Sequence, residues 1–310
     1  MSQASTEASF KYEDAFSRTL GWVTEAELQV LRGKRVAIAG AGGAGGVHLL
    51  TLTRLGIGAF NISDFDSFEV VNFNRQAGAM MSTVGQPKVD VMERMAKDIN
   101  PELDIRKFPQ GVFAPNMDEF LDGVDLYVDS LDFFAFEARM AVFAACAKKG
   151  IPALTVAPLG MGGALMNFVP GGMTFEEYFG FEGVDDLEKS IRLLVGVAPS
   201  AVHTAYLVDP SRIDLGARKG PSTPMGIQFC AAIGATEALK MLLKRGKVYA
   251  APYAITYDGY FNRRIITWRP GGHRNPITWV RLALVRRFLK RALAASRARP
   301  PRTEFANTVI

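Results

Sequence analysis

Cysteine is almost missing from this chain: Cys146 and Cys230 are the only two among 310 residues. Each lies in an apolar, helix-like stretch (FAACAKKG and IQFCAAIG). That excludes a disulfide scaffold and a four-cysteine zinc site, and it fits a reducing cytoplasm. Long hydrophobic runs are missing too. No stretch reaches the roughly 18 uninterrupted apolar residues of a membrane span, and residues 1–11 lack the apolar core of a secretion signal. Acid is missing from one region only. Residues 274–310 carry nine Lys/Arg against Glu304 alone, a charge of +8, which leaves −3 for residues 1–273 within the total of +5. The high pI therefore belongs to a C-terminal extension and does not make the whole chain a nucleic-acid binder. What is present, 48% hydrophobic and 22% charged residues, is the composition of a folded globular protein.

The first half alternates strand and helix patterns. Residues 35–39 (RVAIA) form a short apolar strand running into glycines, and a helix pattern follows over 45–55. Further strands are expected at 59–64, 126–129 and 151–156, with helices at 89–100 and 135–149. This rhythm implies an α/β fold, a Rossmann-like and mostly parallel sheet covered by helices on both faces. After about residue 158 the rhythm turns antiparallel. Residues 160–172 read as a strand pair with glycine turns, 176–190 as an acidic, irregular or short-helical stretch, 225–245 as an apolar helix, and 254–258 with 264–268 as a closing hairpin. The domain plan is a mobile tail at 1–10, an ATP-binding half at 11–158, a substrate- or carrier-facing half of the same domain at 159–272, and a basic extension at 273–310. The last residues, about 299–310, read as a second tail.

Gly40, Gly42, Gly43 and Gly45 satisfy G-x-G-x-x-G between a strand and a helix. Glycines there allow a tight turn and let backbone N–H groups reach phosphate at a helix N-terminus. Asp64 ends the next strand, where an acid can accept hydrogen bonds from ribose hydroxyls. NAD or FAD would use the same arrangement, so the turn alone leaves the cofactor open. Asn72, Arg75 and Lys88 narrow it. A plain dinucleotide fold has no need for them at the mouth beside the phosphates, whereas an ATP site attacked at its α-phosphate needs cations for the departing pyrophosphate. Asp132, just past the strand at 126–129, suits Mg2+, which takes one or two carboxylates plus phosphate oxygens.

Taken together these residues resemble the ubiquitin-activating-enzyme-like superfamily, the ThiF/MoeB type of adenylyltransferase. The likeness runs from about Tyr12 to Trp268. It rests on Arg18 in FSRTLGW, the glycine turn, DFDSFEVVNFNRQ, GQPK, the Ile99-Asn100-Pro101 step, and DSLD ahead of Ala138-Arg139. The resemblance implies Asp64 on ribose, Asn72, Arg75 and Lys88 at the triphosphate, and Asp132 at Mg2+. It also implies a homodimer in which Arg18 reaches the γ-phosphate of the partner subunit's ATP. The usual family substrate is the C-terminus of a ubiquitin-like or sulfur-carrier protein.

Three features depart from the family. Phe133 follows Asp132 where an asparagine is common. The two CxxC pairs that hold zinc in many members are absent, so no structural zinc is expected, and His273 reads as a turn or surface histidine. No cysteine occurs in the segment 171–190 where thioester-forming relatives carry one. The chemistry is therefore expected to stop at an acyl-adenylate. Other ends for the same chemistry stay open: dehydration of tRNA threonylcarbamoyladenosine, peptide maturation, or a non-catalytic ATP-binding subunit. An NAD-dependent oxidoreductase is the most distant reading, and tRNA is not favoured, because the basic charge lies in the tail.

Residues 277–293 pattern as an amphipathic helix. Ile277, Leu282, Leu284, Val285, Phe288, Leu289 and Leu293 share a broad face, and Arg286, Arg287, Lys290 and Arg291 lie largely opposite. Docking on the core, on a dimer mate or on an acidic partner is favoured slightly over an anionic membrane surface for the region 274–302. The chain is expected to be cytoplasmic, with peripheral membrane contact open.

Overall fold

The computed structural model describes residues 9–213 and 220–297. Helices α1 (Tyr12–Ala15) and α2 (Glu25–Arg32) form an N-terminal arm, and β1 (Arg35–Ala39) leads through the glycine turn into α3 (Gly43–Arg54). Next come β2 (Ala59–Ser63), α4 (Lys88–Ile99), β3 (Asp104–Phe108) and the short α5 (Met117–Phe120). They are followed by β4 (Leu126–Asp129), α6 (Phe136–Lys149) and β5 (Ala153–Leu159). β6 (Gly162–Phe168) turns straight back, and α7 (Phe175–Phe179), α8 (Asp186–Val197) and α9 (Pro224–Leu242) separate it from β7 (Tyr253–Asp258) and β8 (Arg263–Trp268). Helix α10 (Pro276–Arg297) follows the hairpin.

All eight strands form one sheet in the order β3-β2-β1-β4-β5-β6-β7-β8. β1 to β5 are parallel, and β6, β7 and β8 are antiparallel, as the sequence pattern predicts. Successive strand residues face opposite ways, so each strand feeds two cores. Val36, Ile38, Phe60, Ile62, Leu126 and Val128 join an aliphatic core with Leu49 and Leu52 of α3, Met92 of α4, and Cys230 and Ala238 of α9. Ala37, Ala39, Tyr127 and Met166 face a second core, crowded with Phe143, Phe168, Phe175, Tyr178 and Phe179. Burying each such side chain contributes about 1.5–3 kcal/mol, so this two-sided burial is the main force holding the sheet between its helices.

Two expectations need correction, and a third is narrowed. Residues 160–172 hold one strand, not a strand pair. β6 pairs along its length with β5, which runs on to Leu159, so that Leu159 lies opposite Gly162. The stretch 176–190 takes the short-helical form among the expected alternatives, with α7 ending at Phe179 and α8 beginning at Asp186. Thr174 and Glu177 form a capping box on α7, and Asp185 accepts from the Glu188 N–H to start the 12-residue α8. The predicted broad apolar face of the C-terminal helix is split in two. Leu282 is buried against Ile191 and Val195 of α8 with Val285 beside it, while Ile277 and Leu284 face solvent. Arg269 fixes that rotation by donating to Thr278 Oγ1 from Nη2 at 2.9 Å. The side chains of Phe288, Leu289, Lys290, Arg291 and Leu293 lie outside the described residues, as do residues 1–8 and 298–310 of the expected tails. Phe10, assigned to the first tail, packs on the cluster of Tyr12, Phe16, Val23 and Leu28. Among the described residues no helix is long and apolar enough to cross a membrane.

Candidate nucleotide site

The site lies where the sheet's connections change direction. β1 has β2 on one side and β4 on the other, so Gly40, Asp64 and Ser130 follow directly from three adjacent parallel strand ends. Ligands of open α/β sheets bind at such switch points, beyond the strands' C-terminal ends. Two of the glycines are fixed by the protein's own packing. Gly40 has φ +92°, and a Cβ there would stand 2.2 Å from the Ser130 carbonyl oxygen. A Cβ on Gly45 would stand 1.7 Å from the Gly40 carbonyl oxygen. Gly42 is different, because the nearest atom to its Cβ position is Gln76 Nε2 at 3.4 Å. Its bare backbone instead keeps the start of α3 clear.

That start is exposed in a chemical sense. Gly42 caps α3 with no side-chain hydrogen bond, and no acid occupies the first turn. The first N–H groups and the positive end of the helix dipole therefore have neither a side-chain cap nor a counter-charge from the helix's own first turn. Beside them lie two buried polar atoms without a protein partner, Gln76 Oε1 and Ser130 Oγ. Arg75 closes the other flank, its Cγ 3.8 Å from the Gly43 Cβ position, and its Nη1 donates to Val71 O at 3.0 Å and Asn74 Oδ1 at 2.9 Å. Helix N–H donors, the Ser130 hydroxyl and a cation at a helix N-terminus fit a phosphate-bearing ligand, and Gln76 Oε1, an acceptor, fits a hydroxyl or amino group of it.

The acidic side of the turn is equally ordered. Asp64 accepts from the Ala41 N–H at 2.7 Å and from the Asp66 N–H at 2.9 Å, so it pins the turn. Burial pushes its carboxyl above the usual range, opposed by the nearby Lys88 ammonium. A carboxylate has about four acceptor positions, which leaves room for ribose hydroxyls. Lys88 is buried at the first position of α4, where the helix dipole disfavours a cation, and it is held by Asp66 at 2.8 Å. Asp66, which the sequence leaves as a loop residue, is thus the partner of Lys88. Asn72 is buried and accepts from the Glu69 N–H at 3.0 Å, capping the short turn Val70–Asn72.

Asp132 is exposed on the loop after β4, where Oδ1 accepts from the Phe134 N–H at 2.9 Å. Among the described residues no three His, Cys, Asp or Glu side chains cluster as a metal site, so a cation held here would draw its other ligands from phosphate oxygens and water. The loop is positioned by a residue that sequence reasoning quoted without giving it a role. Arg139 on α6 is buried and pairs with Asp129 through Nε at 2.9 Å. It also donates to Leu131 O at 2.8 Å, Asp132 O at 3.0 Å and Phe133 O at 3.2 Å. Its only sequence signal is an arginine within an otherwise apolar helix face, set against a strand-ending aspartate.

Arg18 is not brought to this site within one chain. It is exposed on the turn Ser17–Thr19, in an arm that packs on Leu239 and Leu243 at the C-terminal end of α9. The glycine turn touches the opposite end of α9, through Ile227. Neither cysteine reaches the site. Both are buried, and burial pushes the Cys146 thiol up to about 12 and raises that of Cys230 as well. His273 lies in the turn Gly272–Arg274, its Nδ1 2.8 Å from Glu177 O.

A switch-point glycine turn with an uncapped helix and flanking cations makes this an α/β fold with a candidate nucleotide site. The chain belongs to the ThiF family, whose model matches residues 16–278. It is 33% identical over 141 residues to the tRNA threonylcarbamoyladenosine dehydratase of Bacillus subtilis, covering 45% of this chain and 55% of that protein. It is 34% identical over 143 residues to the sulfur carrier protein ThiS adenylyltransferase of the same species, covering 46% and 42%. The chain thus spans about half the length of these curated relatives. Its fold is similar to that of Escherichia coli MccB solved with ATP, with a TM-score of 0.60 at 21% identity over 85% of this chain and 73% of that one. PaaA gives a TM-score of 0.62 at 18% identity over 86% and 76%.

Proposed function

We propose that the chain binds ATP at the glycine turn and adenylates a carboxylate. The observation that carries this reading is the uncapped start of α3 kept clear by Gly42, with Gln76 Oε1 and Ser130 Oγ unpartnered beside it and Lys88 buried nearby. Asp64 would hold the ribose, and the α3 N–H groups with Asn72, Arg75 and Lys88 would hold the phosphates. A substrate carboxylate oxygen attacks the α-phosphorus, the bond to the bridging oxygen breaks, and pyrophosphate leaves with that electron pair. The cations stabilise the charge that builds on the departing group, and positioning supplies most of the remaining acceleration, with no need for a protein base. Mg2+, held by Asp132 with phosphate oxygens, would supply further charge neutralisation. Because both thiols are buried, the acyl-adenylate passes to an external nucleophile.

Arg18 belongs to the arm at the other end of α9 from the glycine turn, so this reading includes a homodimer in which Arg18 serves the partner's site. The exposed Val70, Val71, Phe73, Met80 and Met81 around the nucleotide loop offer apolar surface for a second copy. Residues 159–272 would then face the substrate, and the chain would work in the cytoplasm. The carboxylate in this reading is the C-terminus of a small ubiquitin-like or sulfur-carrier protein. A second reading, favoured by the 33% identity to a tRNA threonylcarbamoyladenosine dehydratase, applies the same activation to the threonylcarbamoyl carboxylate of a modified tRNA. ATP–pyrophosphate exchange with carrier-protein C-termini, short peptides and threonylcarbamoyladenosine-bearing tRNA tests both. Exchange stimulated by one class selects that reading. No exchange with any of them, in wild type and Lys88→Ala alike, counts against adenylation.

A further inference from the structure

Helix α10 carries two apolar faces, and among the described residues only one of them is covered. The inward face is Thr278, Leu282 and Val285. Leu282 is buried against Ile191 and Val195, Thr278 is tied to Arg269, and Arg269 reaches on to Tyr178 OH at 3.0 Å. Arg286 on the flank donates from Nε to Glu188 Oε2 at 2.9 Å. These contacts fix how the helix is rotated. Docking on the core is therefore made through this face, and among the described residues nothing covers the other.

The outward face is a stripe. Ile277, Val280 and Leu284 recur at i, i+3 and i+7, and they are 64%, 60% and 61% exposed. Trp279, 58% exposed, lies off this stripe on another side of the helix, its Nε1–H bonded to His273 O at 3.0 Å. Exposed Arg287 and half-buried Arg281 border the stripe, and exposed Arg274 precedes it. The sequence from Arg274 to Thr303 contains no acid. A surface that accepts this face must offer negative charge at the rim and hydrocarbon beneath the aliphatic side chains. An acidic protein surface satisfies the arginines but lays carboxylates over Ile277, Val280 and Leu284. An anionic bilayer supplies both, with phosphates for the arginines and acyl chains for the stripe.

We infer that the outward face of α10 binds anionic lipid surfaces, with Ile277, Val280 and Leu284 entering the acyl boundary and Arg281 and Arg287 meeting phosphates. The inward face packs on α8 and is tied to Arg269, so docking on the core and contact with the membrane belong to different faces. They do not compete.

Sedimentation of the full-length protein with vesicles tests this, using phosphatidylcholine alone and phosphatidylcholine with about 30% phosphatidylglycerol. Wild type is expected to bind the anionic vesicles at least about tenfold more tightly than the neutral ones, and raised salt should weaken that binding by screening. The pair Val280→Asp and Leu284→Asp should abolish binding while the melting temperature stays put, because both side chains face solvent. Should that pair fail to fold, Val280→Ser with Leu284→Ser takes its place. Wild type that ignores anionic vesicles, or folded variants that bind as wild type does, would overturn the inference.

Discussion

The two ends of helix α9 differ in what they leave unfinished. At its C-terminal end the N-terminal arm is complete. Tyr12, Phe16 and Leu28 pack with Leu239 and Leu243, Tyr12 OH donates to Gly56 O at 2.5 Å, and Thr24 and Glu27 form a full capping box. At its N-terminal end Ile227 abuts the glycine turn and Thr223 Oγ1 donates to Gly160 O at 2.6 Å. There α3 has no cap, Gln76 Oε1 and Ser130 Oγ have no partner, and a lysine sits at a helix start. Buried polar groups in a finished structure are almost always paired. Unpartnered buried atoms also occur elsewhere, at His48, Thr53 and Asn167. It is their coincidence here with an uncapped helix and a cation that marks a surface open to a ligand, and each end should respond differently to substitution.

The largest effect is expected for Arg139→Leu. It leaves Asp129 buried without its cation and frees the carbonyls of Leu131, Asp132 and Phe133, so about 3–5 kcal/mol of stability should be lost, visible as a lower urea midpoint, together with activity. Lys88→Ala acts on the unfinished end alone. ATP–pyrophosphate exchange should fall on the order of 10²–10³-fold with little change in melting temperature; a large thermal shift with normal exchange would make Lys88 structural.

His48 tests the middle of the α3–α9 contact. It is fully buried against Gly234 with both ring nitrogens unpartnered, and burial lowers its pKa from 6.5 to about 4. The folded state thus favours neutral imidazole. Its contribution is fully present above pH 6.5 and is lost as pH falls through about 4, a change of roughly 3 kcal/mol. Melting curves between pH 7 and 4 should flatten in a His48→Leu variant relative to wild type; equal slopes would mean the imidazole is not buried neutral. The smallest effect belongs to the finished end. Thr24→Ala should cost about 1 kcal/mol through the lost cap and leave exchange untouched.

What the sequence discloses follows the range of the interactions involved. β1 and the glycine turn are legible because a short apolar strand, a turn and a helix start are set within about a dozen residues. Lys88 and Asp132 are legible because each sits at a fixed place beside an element end. β3 escapes notice because it is an edge strand carrying Asp104, Arg106 and Lys107, which protect an edge but hide the apolar alternation. α8 is hidden by its own start, since Asp185, which caps it, and Asp186 and Glu188 in its first turn also resemble a loop. The unpartnered Ser130 and Gln76 and the clamp of Arg139 come together only when β1 and β4, nearly ninety residues apart, lie side by side. The rotation of α10 was hidden for a similar reason. Its sequence holds two apolar stripes, and only the distant Arg269 and Ile191 decide which one is covered.

The most direct test of the nucleotide reading is calorimetric titration of ATP and of NAD into the same protein, wild type and Lys88→Ala. The account predicts that ATP binds, that NAD does not compete with it, and that Lys88→Ala weakens ATP binding. Tighter binding of NAD, or ATP binding that is indifferent to Lys88, would contradict it.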